Sequence, residues 1–165
     1  IVITGAGEVG RHLAGNLSNR DHNISIIESN EALARELDEQ LNSHVLCEDG
    51  TTVTSLAQAN VAECDLFFGL TSNRNTNLVS ASLAKAMGAR KSIARIDGSV
   101  QREEWMFDYR SHFKIDHLFS VERLTAVESV AFAWNARMIS PVHQRGALPN
   151  SGPSSTGRNC PNCLR

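Results

Sequence analysis

The sequence predicts an α/β protein, a doubly wound parallel sheet of about six strands with helices on both faces. Three observations predict it. The chain opens on a short β-branched run that stops at Gly5 and is followed at once by Gly7 and Gly10, a G-x-G-x-x-G. A second apolar run, Asn23 to Glu28, ends in a carboxylate about 20 residues beyond the glycines, where an acid binds a ribose diol. Short apolar runs then alternate with helical periodicity as far as Phe119, and such alternation means a parallel sheet covered on both faces. Strand, glycine turn and helix in that order begin a Rossmann-like, dinucleotide-binding βαβ unit.

Each element has its own signal. After the glycines, Val9, Leu13 and Leu17 fall on one face of a helix. Asn30 to Leu41 carries Leu33, Leu37 and Leu41 as one apolar stripe on a charged helix. Ser43 to Cys47 is a third strand, closed by Glu48, Asp49 and Gly50. Thr51 to Asn60 is a short helix with Thr51 or Thr52 as its N-cap. The continuous apolar run Leu66 to Leu70 fits a strand covered on both faces. Asn75 to Met87 is a helix with Val79, Leu83 and Met87 stacked and Gly88 as terminator. Ser92 to Ile96 is a fifth strand and His117 to Phe119 a short sixth, with a partly helical piece around Gln101 to His112 between them. From Glu122, the residues Leu124, Val127, Ala131, Trp134 and Met138 recur at spacings of three and four. That is a seam for another helix, or the face of a terminal helix folded back on its own sheet.

Bulk properties bound the function. A chain of 165 residues holds one domain with a sizeable core and no second substrate domain. A net charge of -2 gives none of the basic field that nucleic acid requires. With no apolar run of membrane-spanning length and no signal peptide in view, the chain reads as cytosolic. It begins inside a strand without methionine, as expected of a fragment or a trimmed chain. Cys47 and Cys64 sit in apolar sequence and are expected to be buried, reduced thiols. Beyond Ser140 the chain is polar and punctuated by proline and glycine, the composition of a disordered or non-native tail. Near its end the tail carries Cys160-Pro161-Asn162-Cys163, the spacing of a zinc knuckle or a redox pair. A zinc site needs four ligands, with His143 the one candidate close by, and a redox pair would sit at a helix start after a strand, which the sequence does not show there.

The candidate site follows from the first unit. Gly5 allows the tight turn, Gly7 lets a pyrophosphate approach the backbone, and Gly10 lets the helix lie close to the strand. Phosphates would meet the N–H groups of a helix N-terminus. Glu28 would hold the ribose and repel a 2′-phosphate. Ser29 and Asn30 offer no cation, and Arg35 lies a turn further on. This favours NAD(H) or an adenine nucleotide over NADP(H). Asp49, Thr71 and Arg95 fall at or near the carboxyl ends of later strands, where ligands of such sheets bind.

Several motifs beyond the glycines carry a family resemblance. They are Ile26-Ile27-Glu28, Cys47-Glu48-Asp49-Gly50-Thr51, the turn from Gly69 to Leu78 with Thr71 and Asn77, Ala94-Arg95-Ile96, and Ile115 to Leu118 followed by Val121-Glu122. Over residues 1 to about 135 the chain resembles the TrkA N-terminal domain, also called RCK or KTN, which regulates potassium transporters and channels. Glu48 departs from the family's glycine, Arg74 and Asn75 replace an acidic pair, and the tail does not resemble the ligand-binding lobe of the second half.

The resemblance implies a regulatory subunit of a Trk-type potassium uptake system, without catalytic residues or a metal site of its own. It implies nucleotide contacts from Gly5, Ala6, Gly7, Glu8, Val9 and Gly10 at the turn and from Glu28 and Ser29 at the ribose. Asp49 and Gly50 would lie beside the adenine, with Thr71, Ser72 and Arg95 at the far end. NAD(H) is the first expectation for the cofactor and ATP or ADP the next. Glu122 would lie at a dimer contact, near terminal phosphates or a divalent ion. Residues 1–120 would form the nucleotide-binding domain, 121–140 a C-terminal crossover and dimerisation helix, and 141–165 the tail. The expected partners are a membrane-embedded potassium-translocating subunit and a second copy of the chain, dimers assembling into a higher ring at the inner face of the plasma membrane. Alternative readings are a small NAD-dependent oxidoreductase, with His12, His44, His112 and His117 as the histidines to consider, and an adenylate-sensing domain of a channel or antiporter.

Overall fold

The computed structural model describes residues 1–18, 22–41, 43–103 and 105–122. In chain order they form β1 (Val2–Thr4), α1 (Glu8–Ser18), β2 (Ser25–Ile27), α2 (Glu31–Gln40), β3 (His44–Leu46) and α3 (Val53–Gln58). A 3₁₀ turn at Val61–Glu63 leads into β4 (Leu66–Gly69), α4 (Arg74–Met87) and β5 (Lys91–Ile96). The last described elements are α5 (Gly98–Glu103), α6 (Tyr109–Phe113) and β6 (His117–Ser120). The six strands make one sheet in the order β3-β2-β1-β4-β5-β6, every neighbouring pair parallel. The predicted Rossmann-like sheet is therefore present, with the irregular piece resolved into α5 and α6. The crossover helix, its Leu124–Met138 seam with Val127, Ala131 and Trp134, and the Cys160/Cys163 tail lie outside the described residues.

Alternation along the strands divides the core into two layers. Val2, Ile27 and Phe67 point into one layer, with Leu56, Ala81, Ala84 and Ile96. Their neighbours Ile3 and Ile26 point into the other, with Ala14 and Leu37. Val9, Leu13 and Leu17 of α1 and Leu41 pack on that second layer, as their spacing predicts. Side chains fix the helix starts. Asn30 caps α2 through the N–H groups of Ala32 and Leu33, Thr52 rather than Thr51 caps α3, and Asn73 caps α4.

The structure corrects the sequence reading at two places. The buried line of α4 is Leu78, Ala81 and Ala84, whereas Val79 is 41% exposed and Leu83 and Met87 sit at the margin of the core. Small residues win because α4 lies close on β4: a Cβ on Gly69 would come within 3.0 Å of the Asn77 carbonyl. Cys64 is buried as expected, but Cys47 is exposed. β3 stops at Leu46, whose carbonyl accepts the Glu28 N–H at 3.0 Å, and it is an edge strand, so Cys47 already lies past the sheet.

Candidate functional site

Strand order reverses between β1 and β4, which leaves a crevice at the carboxyl edge of the sheet. The glycine turn sits in it, and its three glycines do different work. Gly5 has φ +92°, and a Cβ there would lie 2.6 Å from the Thr71 nitrogen. Gly10 keeps α1 against the turn, since a Cβ would lie 2.0 Å from the Gly5 carbonyl oxygen. Gly7 is exposed, and a Cβ there would meet nothing within 4 Å. Its glycine is thus not required by packing, and the turn is open where a phosphate would approach.

Glu28 closes one side. Its Oε2 accepts the Ala6 N–H at 2.7 Å and its Oε1 the Asn30 N–H at 2.8 Å. Each carboxylate oxygen keeps a further lone pair for a hydroxyl group. Asp49 faces the same cleft with Oδ1 accepting the backbone N–H and the hydroxyl of Thr51, both at 2.8 Å. Those bonds, the backbone one first, hold its carboxyl below the usual carboxylate range. Gly50 is needed here, because a Cβ would lie 2.2 Å from Thr4 Cγ2. The Thr4 hydroxyl is buried and has no hydrogen-bond partner.

Thr71 joins this cleft to a second recess lined by Ser72, Arg74, Asn77, Arg95, Asp97 and Glu122. Asn77, 1% exposed, organises the junction. Its Oδ1 accepts the Thr71 N–H at 2.8 Å and the Thr71 hydroxyl at 2.7 Å, while its Nδ2 donates to the carbonyls of Thr71 and Arg95, both at 2.9 Å. Arg74 Nη1 pairs with Asp97 Oδ1 at 3.3 Å and with the Ser99 hydroxyl. The Ser99 hydroxyl bond above all, with Ser99 and Val100 N–H groups and the Arg74 charge, brings the Asp97 carboxyl down to about 2 despite some burial.

Eight of the sequence-predicted nucleotide contacts, Gly5, Glu28, Ser29, Asp49, Gly50, Thr71, Ser72 and Arg95, line these two connected recesses. The others at the turn differ. Ala6 is buried in the core and offers its N–H to Glu28, Val9 packs on the core, and Glu8 is exposed at the start of α1. His44 and His117 open β3 and β6, at the opposite edge of the sheet, and His12 and His112 are exposed on α1 and α6. Sequence reasoning passed over Thr4, Thr76, Asn77 and Asp97 as site residues. An asparagine at an apolar position of α4 was the available signal for Asn77. A side chain with two donors and an acceptor is buried only where all are met.

The donors and the open turn fit a nucleotide: free space at Gly7, N–H groups at the start of α1, and a carboxylate with spare lone pairs at Glu28. The model of the TrkA-N domain family matches residues 1–113. The chain is 34% identical over 129 residues to a Trk system potassium uptake protein TrkA homolog of Methanothermobacter thermautotrophicus, covering 76% of this chain and 56% of the relative. It is 38% identical over 97 residues to the Trk system potassium uptake protein TrkA of Vibrio alginolyticus, covering 58% of this chain and 21% of that protein. The chain thus spans about half the first relative and a fifth of the second. Among solved structures, the TrkA-N domain of the Escherichia coli inner membrane protein ybaL superposes with TM-score 0.70 at 17% identity, covering 79% of this chain and 93% of that one. GsuK bound to ADP gives 0.61 and the GsuK channel bound to NAD 0.59, each at 20% identity, over 74% and 71% of this chain and 31% and 20% of theirs. These structures share the fold, and the matched residues take in the glycine turn, Glu28, Asp49, Thr71 and Arg95; the chain belongs to the TrkA-N domain family.

Proposed function

We propose that this chain is the nucleotide-sensing part of a regulatory subunit of potassium uptake, binding NAD(H) or an adenine nucleotide and carrying out no reaction of its own. The observation that carries the reading is the convergence of Gly5, Glu28, Asp49 and Thr71 on one crevice at the reversal of strand order. Both relatives described above are Trk system potassium uptake proteins, and the GsuK structures hold ADP and NAD, which supports this reading. In this reading the turn receives the phosphates at Gly7, Glu28 accepts the ribose hydroxyls, and Asp49 with Gly50 borders the base. Ser29 lies beside the ribose, and Thr71, Ser72 and Arg95 border the far end.

The partner is a membrane-embedded potassium-translocating subunit, reached from the cytoplasmic side. Among the described residues no helix is long and apolar enough to cross a membrane. Two copies of the chain pair through the helix that starts near Glu122, and such pairs build a ring. Nucleotide exchange then gates by linkage: a ligand shifts the ring between shapes only by its differential affinity for them. The proposed divisions are 1–120, 121–140 and 141–165. Titration of the chain with NAD, NADH, ATP and ADP by calorimetry tests the site. Saturable binding of at least one of them is expected, and binding of none of them rejects the reading.

A further inference from the structure

Arg74 is the first residue of α4 and lines the recess beyond Thr71. The first turn of α4 contains no acidic residue, so a guanidinium shares the positive end of the helix dipole. Its present partners are the Asp97 carboxylate and the Ser99 hydroxyl, and Asp97 has other donors besides it. The same Oδ1 also accepts the Ser99 N–H at 2.9 Å, the Ser99 hydroxyl at 2.5 Å and the Val100 N–H at 3.4 Å. Those donors belong to the start of α5, so the carboxylate stays satisfied when the guanidinium moves away. Both side chains also reach water, at 35% and 51% exposure, and ion pairs that open are weak. Arg95, the second cation of the recess, makes no ion pair among the described residues.

We propose that Arg74 is the specificity-determining residue for the distal end of the nucleotide, exchanging Asp97 for the terminal phosphate of a nucleoside di- or triphosphate. The inference rests on the nucleotide reading above. A free terminal phosphate presents more charge than the esterified diphosphate of NAD, and a guanidinium can grip its oxygens in bidentate fashion. AMP has no phosphate to extend past the glycine turn. Arg74 therefore adds affinity for ATP and ADP and none for AMP or NAD. Arg95 adds to the same field without distinguishing the ligands by its own ion pairing.

Calorimetric titration of the full chain with ATP, ADP, AMP and NAD tests this in the parent, Arg74→Gln, Arg74→Lys and Asp97→Asn. Arg74→Gln is expected to weaken ATP and ADP roughly tenfold, the loss of one charge-assisted contact, while AMP and NAD stay within about twofold. Arg74→Lys recovers part of the loss. Asp97→Asn keeps an acceptor for the start of α5 and frees Arg74, so ATP binds more tightly. Unchanged ATP affinity in Arg74→Gln, or an equal loss for all four ligands, overturns the role of Arg74 and leaves the nucleotide site standing. A parent that binds none of the four overturns the site itself. If Arg74→Gln melts below the assay temperature, Asp97→Asn decides, and unchanged or weaker ATP binding there rejects the exchange.

Discussion

The amide of Asn77 holds Thr71 from both sides, its oxygen accepting from the Thr71 backbone and hydroxyl and its nitrogen donating to the Thr71 carbonyl. The same nitrogen reaches the Arg95 carbonyl at 2.9 Å, so one buried side chain ties the end of β4, the start of α4 and the end of β5 together. Thr71 also stands 2.6 Å from where a Cβ of Gly5 would be. The position of the glycine turn is thereby coupled to Asn77.

Replacing Asn77 by Leu, close in size, should leave the Thr71 N–H and the two carbonyls without partners. A loss on the order of 2–4 kcal/mol is expected, enough to lower Tm by roughly 10 °C. Thermal melting followed by circular dichroism reads it, and a drop of under about 2 °C would show that the turn is held by other contacts.

Gly7→Val should remove nucleotide binding and leave the fold intact. A Cβ at Gly7 meets nothing within 4 Å, whereas one at Gly10 would strike the Gly5 carbonyl at 2.0 Å. Gly10→Ala should therefore lower Tm, and Gly7→Val should shift it by no more than about 2 °C. Parent-like nucleotide affinity in Gly7→Val would place the site elsewhere.

Glu28 should disfavour NADP(H), because its carboxylate, anchored by the Ala6 and Asn30 N–H groups, would face a 2′-phosphate. NADH is expected to bind at least about tenfold more tightly than NADPH at low salt, the scale of one like-charge contact. Equal affinities in a fluorescence titration would refute this role for Glu28.

Asp97 should contribute to acid stability. Its carboxyl is lowered from 3.8 to about 2, so the unfolded chain takes up the proton first as the pH falls. The contribution is whole above about pH 4 and lost as the pH drops through about 2. Asp49 and Asp116 shift in the same direction, so the parent minus Asp97→Asn difference in Tm isolates this residue. That difference should shrink between pH 4 and pH 2, and a constant difference would contradict the linkage.

Thr4→Val should stabilise the protein. The Thr4 hydroxyl is buried without a partner, and Val keeps the branched shape that packs beneath Gly50. Removing an unmet hydroxyl is expected to gain about 1 kcal/mol, seen as a rise in Tm of a few degrees. A fall in Tm would mean that the hydroxyl has a partner in solution.

Much of this protein is written locally in its sequence. The order of strands and helices, the glycine turn, the carboxylate ending β2 and the caps at Asn30 and Thr52 follow from periodicity and from short-range hydrogen bonding. They are legible because each depends on residues a few positions apart. What tertiary structure decided depends on which distant segments meet. Val79 is exposed and Leu78 buried because α4 settles close on β4. Cys47 is exposed because β3 is an edge strand that ends one residue earlier. Gly50 must lack a side chain because Thr4 lies beneath it, and Arg74 finds Asp97 twenty-three positions along the chain. Hydrogen bonding and close packing act over a few ångströms in space, so only the folded chain brings those pairs within range.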